Sequence, residues 1–355
     1  MIAFVAWTPL HLINALNVYM NYYPTVEADL YIYDEFTDSH KYYNKISAMG
    51  LFKNTILIDH DDISSGISKY INILISKNTF TDQRRFEYEE LFVYGGNYFS
   101  KVLFSNALKV NTGLKLNYIE DGIAPYLDGR IFPTSRINRL VYNCFNKYSM
   151  LKQEINKYFV YEPDLVNFPI QNTLKMPKIE KCNPAYKYIL EVFDDVQEVK
   201  NILLFIDQPL NDDGYGIDEV EIAKKINAAN KTNKTFVIKK HPRSKRVYEG
   251  FEILKSNSPF EIIALRGQFE KSIIISPAST IAFSSYMMFG IEFETILLSQ
   301  LILNEYDGYD KKHREIFGAL SSFTDRFNRV AENQIYLPNN FVELEKKLGE
   351  LKYNG

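Results

Sequence analysis

Phe236-Val237-Ile238-Lys239-Lys240-His241-Pro242-Arg243 is an apolar, β-branched run that ends abruptly in four cationic or titratable residues and a proline. Proline cannot continue a strand ladder, so a strand ends here and His241 stands at its C-terminal rim. In open α/β sheets that rim is where ligands sit, and the lysines and arginine imply an anionic one. A strand ending in a solvated basic loop reads the same way in isolation.

Four other strings fall at comparable places. Glu120-Asp121-Gly122 follows the apolar residues 115–119, and a carboxylate beside a glycine turn can act as general base toward a substrate hydroxyl. Asp207-Gln208-Pro209-Leu210-Asn211-Asp212-Asp213-Gly214 follows residues 202–206. Ser276-Pro277-Ala278-Ser279-Thr280 follows residues 273–275 and precedes a helical pattern, so hydroxyls and unpaired amides gather where a phosphate is favoured. Ser258-Pro259-Phe260-Glu261 places an acid early in another helix. Each of the four also serves as ordinary helix-capping or turn chemistry.

The elements that must position these strings alternate. Strands are predicted over 2–7, 29–33, 55–58, 91–94, 115–119 and 158–161, and helices from Pro9, over 63–75 and over 98–108. A second series has strands at 202–206, 235–238, 273–275 and 293–298. Its helices start at Asp218, at Pro259 and at Thr280, and a charged one covers 340–351. Strand–helix alternation of this kind builds parallel sheets. The expected organisation is an α/β chain of two doubly wound, Rossmann-like domains facing a central cleft. Domain bounds are 1–170 and 198–355, and a linker over 171–197 is marked by scattered prolines and lysines without a period.

Composition excludes some classes. A net charge of −3 and a pI near 6.0 do not supply the basic surface of a general nucleic-acid binder. Cys144 and Cys182 make neither a metal pattern nor a disulfide framework, which suits a reducing cytoplasm. The apolar opening of residues 2–7 is too short for a membrane span.

Taken together, an acid-acid-glycine string, then lysine-x-histidine-proline, proline-x-glutamate and serine-threonine in this order, resembles bacterial sialyltransferases. The closest resemblance is to the lipooligosaccharide and capsule enzymes of glycosyltransferase family 52. Thr8-Pro9-Leu10-His11 and Gln208-Pro209-Leu210 are similar to that family as well. The resemblance implies a GT-B fold, CMP-sialic acid as donor, inversion at the anomeric carbon, a galactose-terminated glycan as acceptor, and no metal or other cofactor. It implies that His241 meets the leaving phosphate, that Ser279 and Thr280 hold its oxygens, and that Lys239, Pro242, Glu261 and Gln208 line the nucleotide site. For the base it implies Asp121 or an acid of the second domain, Asp213 first. A cytoplasmic enzyme is expected, with docking to the inner face of the membrane and homodimerisation left open. So are another nucleotide sugar, polysialic chain extension and a non-catalytic binding role.

Overall fold

The computed structural model describes residues 1–59, 67–75, 86–127, 136–167, 171–194, 200–241, 243–256, 258–266, 269, 271–306, 311–332 and 334–352. Pro242 and the first part of the helix expected over 63–75 lie outside the described residues.

The first strand, β1 (Ile2–Ala6), is buried along its whole length, as an apolar run at the centre of a sheet covered on both faces must be. Thr8 then turns the chain into α1 (Pro9–Tyr22). Its hydroxyl accepts from the His11 amide at 3.2 Å, and Pro9 sits where a helix start has no use for an N–H. Strands β2 (Ala28–Tyr33), β3 (Asn54–Ile58), β4 (Glu90–Val93), β5 (Lys115–Ile119), β6 (Ile155–Val160) and β7 (Thr173–Lys175) complete a parallel sheet of order β3-β2-β1-β4-β5-β6-β7. Helices α2 (Ser39–Met49), α3 (Ile67–Leu74), α4 (Tyr98–Val110), α5 (Ala124–Leu127) and α6 (Arg136–Phe145) fall between them. The strand order reverses at β1 and β4. Loops leaving those two strands diverge, which opens a crevice at the C-terminal edge.

Within the stretch expected as a linker, the described residues 171–194 carry a strand and a helix. β7 pairs with β6, and α7 (Tyr186–Val192) packs on α1 and α2. Asn183 joins Asn17 and Asn21 through side-chain hydrogen bonds of 2.9 and 3.1 Å. A three-residue edge strand and a seven-residue helix are too short to show a hydrophobic period, which is why the segment read as irregular. The chain divides later, into Met1–Asp194 and Asp195–Gly355.

The second unit repeats the plan with β8 (Ile202–Ile206), β9 (Thr235–Lys239), β10 (Glu252–Ile253), β11 (Ile273–Ser276) and β12 (Glu294–Leu297), all parallel in the order β10-β9-β8-β11-β12. Its helices are α8 (Glu219–Ala229), α9 (Phe260–Leu265), α10 (Ile281–Phe289), α11 (Ser299–Glu305), α12 (Lys311–Phe327) and α13 (Phe341–Leu351). β8 shows why both faces need cover. Leu203 and Phe205 enter a core layer with Ile222, Ile226, Leu301 and Leu344, while Ile202, Leu204 and Ile206 enter another with Phe260, Ile263 and Phe269. Here the order reverses between β8 and β11. No described helix is long and apolar enough to cross a membrane.

Candidate active site

In the first unit the reversal crevice is bordered by Trp7 and Thr8 after β1, Tyr94 to Asn97 after β4, and Glu120 to Gly122 after β5. Gly122 takes φ +66°, a left-handed turn that a side chain resists. The two acids beside it have opposite surroundings. Glu120 is buried; its carboxylate accepts from the Tyr161 amide at 2.8 Å and from the Tyr126 hydroxyl, while its carbonyl accepts from Asn14 at 3.0 Å. Burial pushes its pKa up to about 8, against the two donors and with help from Glu162 and Asp121. It is a structural acid. Asp121 keeps a side chain 42% exposed, and one of its oxygens lies 3.1 Å from Nε2 of a fully buried His11.

His11 is locked on every side. Its ring stacks on Tyr94 with centroids 4.0 Å apart, Trp7 meets it edge-on at 4.2 Å, and the Tyr94 hydroxyl donates to its carbonyl at 2.6 Å. The Trp7 amide donates to Nδ1 at 3.3 Å, so in the neutral ring the proton belongs on Nε2. That nitrogen has no other partner among the described residues, and its approach to Asp121 is bent away from the N–H line.

In the second unit the chemistry gathers after β8, β9 and β11. His241 follows β9 and is half-buried, with its amide donating to Asp207 at 3.4 Å and its Nδ1 accepting from the Arg243 amide at 3.1 Å. Nε2 is left as the outward donor. Burial and the Arg243 charge push the imidazole below its usual range, against Asp207 and Asp213. Asp207 is fully buried and also accepts from the Tyr248 hydroxyl at 2.6 Å. The loop after β8 and the loop after β9 are further sewn together by Asp212 accepting from the Lys245 amide and by Arg246 reaching Asp218 and the buried Glu219.

The expected site residues divide accordingly. Lys239 donates to the Ser256 and Ser258 carbonyls at 3.4 and 3.2 Å; burial lowers its pKa, opposed by Glu261. Glu261, buried in the first turn of α9, accepts from Ser284 of α10 at 3.0 Å; burial raises its pKa, and its own backbone, Ser284 and Lys239 oppose the rise. Gln208 folds back onto the Asp207 carbonyl at 3.0 Å. Asp213 is bound bidentate by Arg243, both contacts 3.1 Å, so its oxygens are engaged. Ser279 is buried and its hydroxyl accepts from the Ile281 amide at 3.3 Å, a helix-capping bond. Thr280 is half-buried and its side chain does not cap the helix. From the sequence His11 and Asp207 entered only as members of longer strings, and Tyr248 did not enter at all. Among the described residues no cluster of three His, Cys, Asp or Glu side chains could hold a metal ion.

No family model and no curated sequence matches the chain. Among solved structures, it is similar over 99% of its length to 92% of a UDP-GlcNAc 2-epimerase from Methanocaldococcus jannaschii, with 13% identity and a TM-score of 0.53. It is also similar, at 12% identity and a TM-score of 0.46, to UGT89C1 of Arabidopsis thaliana complexed with UDP, covering 99% of this chain and 89% of that one. The fold class is therefore GT-B type, with two Rossmann-like α/β units.

Proposed function

We propose that the chain is a glycosyltransferase that uses a nucleotide sugar, and that it moves sialic acid from CMP-sialic acid to a terminal galactose of a bacterial surface glycan with inversion, through an α2,3 linkage. The observation that carries the reading is Asp121: a half-exposed carboxylate at a strand end, with one oxygen 3.1 Å from a buried imidazole nitrogen. Its other oxygen, which has no partner among the described residues, takes the acceptor hydroxyl's proton while the acceptor oxygen bonds to the anomeric carbon. The electron pair of the broken sugar–phosphate bond leaves with CMP. His241 serves that departure, because a neutral ring with Nδ1 already engaged presents Nε2–H to a phosphate oxygen. Lys239 and Glu261, coupled across β9 and α9, are suited to the cytidine and its ribose, and the start of α10 at Thr280 to the phosphate.

The nucleotide-sugar class is supported by the fold, since the Methanocaldococcus jannaschii enzyme is described in complex with UDP-GlcNAc and UDP. The choice of CMP-sialic acid rests on the order of the five sequence strings. The test is donor hydrolysis and transfer to a galactose-terminated oligosaccharide across a panel of CMP- and UDP-sugars, run with and without EDTA. CMP release from CMP-sialic acid alone, unchanged by the chelator, is expected. Release of UDP from a UDP-hexose would replace the donor, and loss of activity in EDTA restored by magnesium would refute metal independence.

A further inference from the structure

His11 is a buried titratable group to which the proposed reaction gives no part. Three observations define what it can do. It is fully buried while Asp121 is 42% exposed, so of the two only the carboxylate can touch an acceptor. Its Nδ1 lone pair is engaged by the Trp7 amide, which leaves Nε2 as a donor aimed at the Asp121 side of the ring. Its plane is fixed by Tyr94 on one face and by the edge contact with Trp7.

We propose that His11 is the positioning residue of Asp121: its Nε2–H holds Oδ1 so that Oδ2 is presented to the acceptor hydroxyl. The assignment rests on Asp121 being the base. It is a one-proton device. The acceptor's proton goes to Oδ2 and stops there, because Nε2 already bears a proton and the Nδ1 lone pair faces the Trp7 N–H. A relay through the ring would need an unprotonated nitrogen facing Asp121, and in this tautomer the only one lacking a proton is Nδ1, which faces Trp7. The 3.1 Å contact does not yet meet hydrogen-bond geometry, and in the proposed role it tightens when acceptor binds, as catalytic hydrogen bonds often do. The arrangement also fixes the direction of the support. A carboxylate behind a histidine orients a histidine base; here the imidazole lies behind and the carboxylate in front.

The experiment uses the full chain in two readouts. With 15N-labelled histidine, only 5 histidines contribute, and the signal missing from His11→Phe identifies His11. A protonated Nε2 and an unprotonated, hydrogen-bonded Nδ1 are expected, with the Nε2 signal shifting in Asp121→Asn and not in Asp213→Asn. A proton on Nδ1, or an Nε2 signal indifferent to Asp121→Asn, overturns the proposal whatever the chain catalyses. In the transfer assay, His11→Phe keeps a ring against Tyr94 and removes the donor. Transfer kcat should fall about 10–10²-fold, the scale seen when the partner that orients a reactive ligand is lost, with acceptor KM and donor hydrolysis staying close to wild type. His11→Gln, whose amide N–H reaches toward the place of Nε2, should recover part of the loss. Unchanged transfer in His11→Phe, or equal loss of transfer and hydrolysis in a folded variant, also overturns it. A wild type inactive with every nucleotide sugar refutes the glycosyltransferase reading instead, and the nitrogen spectra then decide the contact by themselves.

Discussion

The two units hold their histidines by the same backbone bond in different surroundings. His11 and His241 each accept a backbone amide at Nδ1, from Trp7 at 3.3 Å and from Arg243 at 3.1 Å, so in each neutral ring Nε2 is the donor. Around His11 lie two aromatic rings and one carboxylate, with no exposure to solvent. Around His241 lie Arg243, Lys239, Asp207 and Asp213, and the ring is only half-buried. A locked tautomer therefore does not define a role. What lies beside Nε2 does: the Asp121 carboxylate in the first unit, and in the reaction proposed above an anionic leaving group in the second.

The largest effect should come from the exposed member. His241→Ala is expected to lower both transfer and donor hydrolysis by ~10²–10⁴-fold, since both need the phosphate to leave, while CMP binding measured by calorimetry weakens far less. Near-normal turnover would remove His241 from the chemistry and end the contrast between the rings. Asp121→Asn comes next. Transfer should fall by ~10²-fold or more with hydrolysis largely spared, because water attack depends on the leaving group and not on the acceptor's proton. If transfer survives and Asp213→Asn abolishes it, the base lies in the second unit.

Asp213→Asn should do much less. Its pair with Arg243 is exposed at both ends, and such pairs are worth ~0–1 kcal/mol, so a rise in apparent donor KM of up to about fivefold with kcat intact is expected. A kcat loss as large as that of Asp121→Asn would show that Arg243 releases it during catalysis. The smallest effect separates Glu120 from its neighbour through stability. In the unfolded chain this carboxyl titrates near the ordinary 4.5, whereas in the fold burial raises it to about 8. Between these values the folded chain holds a proton that the unfolded chain has released. The stabilisation is complete below the lower value, declines as pH rises, and is lost above about 8. Glu120→Gln keeps an acceptor for Tyr126 and the Tyr161 amide without a charge. Its melting temperature should match wild type near pH ~5 and exceed it near pH ~8.5. Parallel pH curves for the two proteins would show that Glu120 stays ionised in the fold.

Much of the architecture was legible because it is local. Runs such as residues 202–206 and 273–275 end in polar loops at the C-terminal edge of a sheet, and the structure has β8 and β11 there, with Asp207 and Ser276 at the ends. The N-cap at Asp218 was encoded in the same way, by a carboxylate just before an apolar period, and Pro9 marked the start of α1. Short or amphipathic pieces were not legible: α7, β7, β10 and the long α12 have weak patterns of their own, and α7 is placed by packing on the distant α1 and α2.

The candidate residues were set by the sequence as types at strand ends, and no more than that. Sheet order decided their partners. Because β4 inserts between β1 and β5, the turn after β1 and the turn after β5 flank the same loop, and His11 can reach Asp121 across it. Packing decided their exposure, which made Glu120 a buried structural acid and its neighbour Asp121 the available one. The loop after β9 decided that Asp213 is tied to Arg243, and the start of α10 that Ser279 serves its own helix. A residue's type and its place on an element follow from neighbours within a few positions. Its hydrogen-bond partner, its solvation and hence its proton affinity depend on groups brought in from elsewhere in the chain, and those are fixed only when the sheet is assembled.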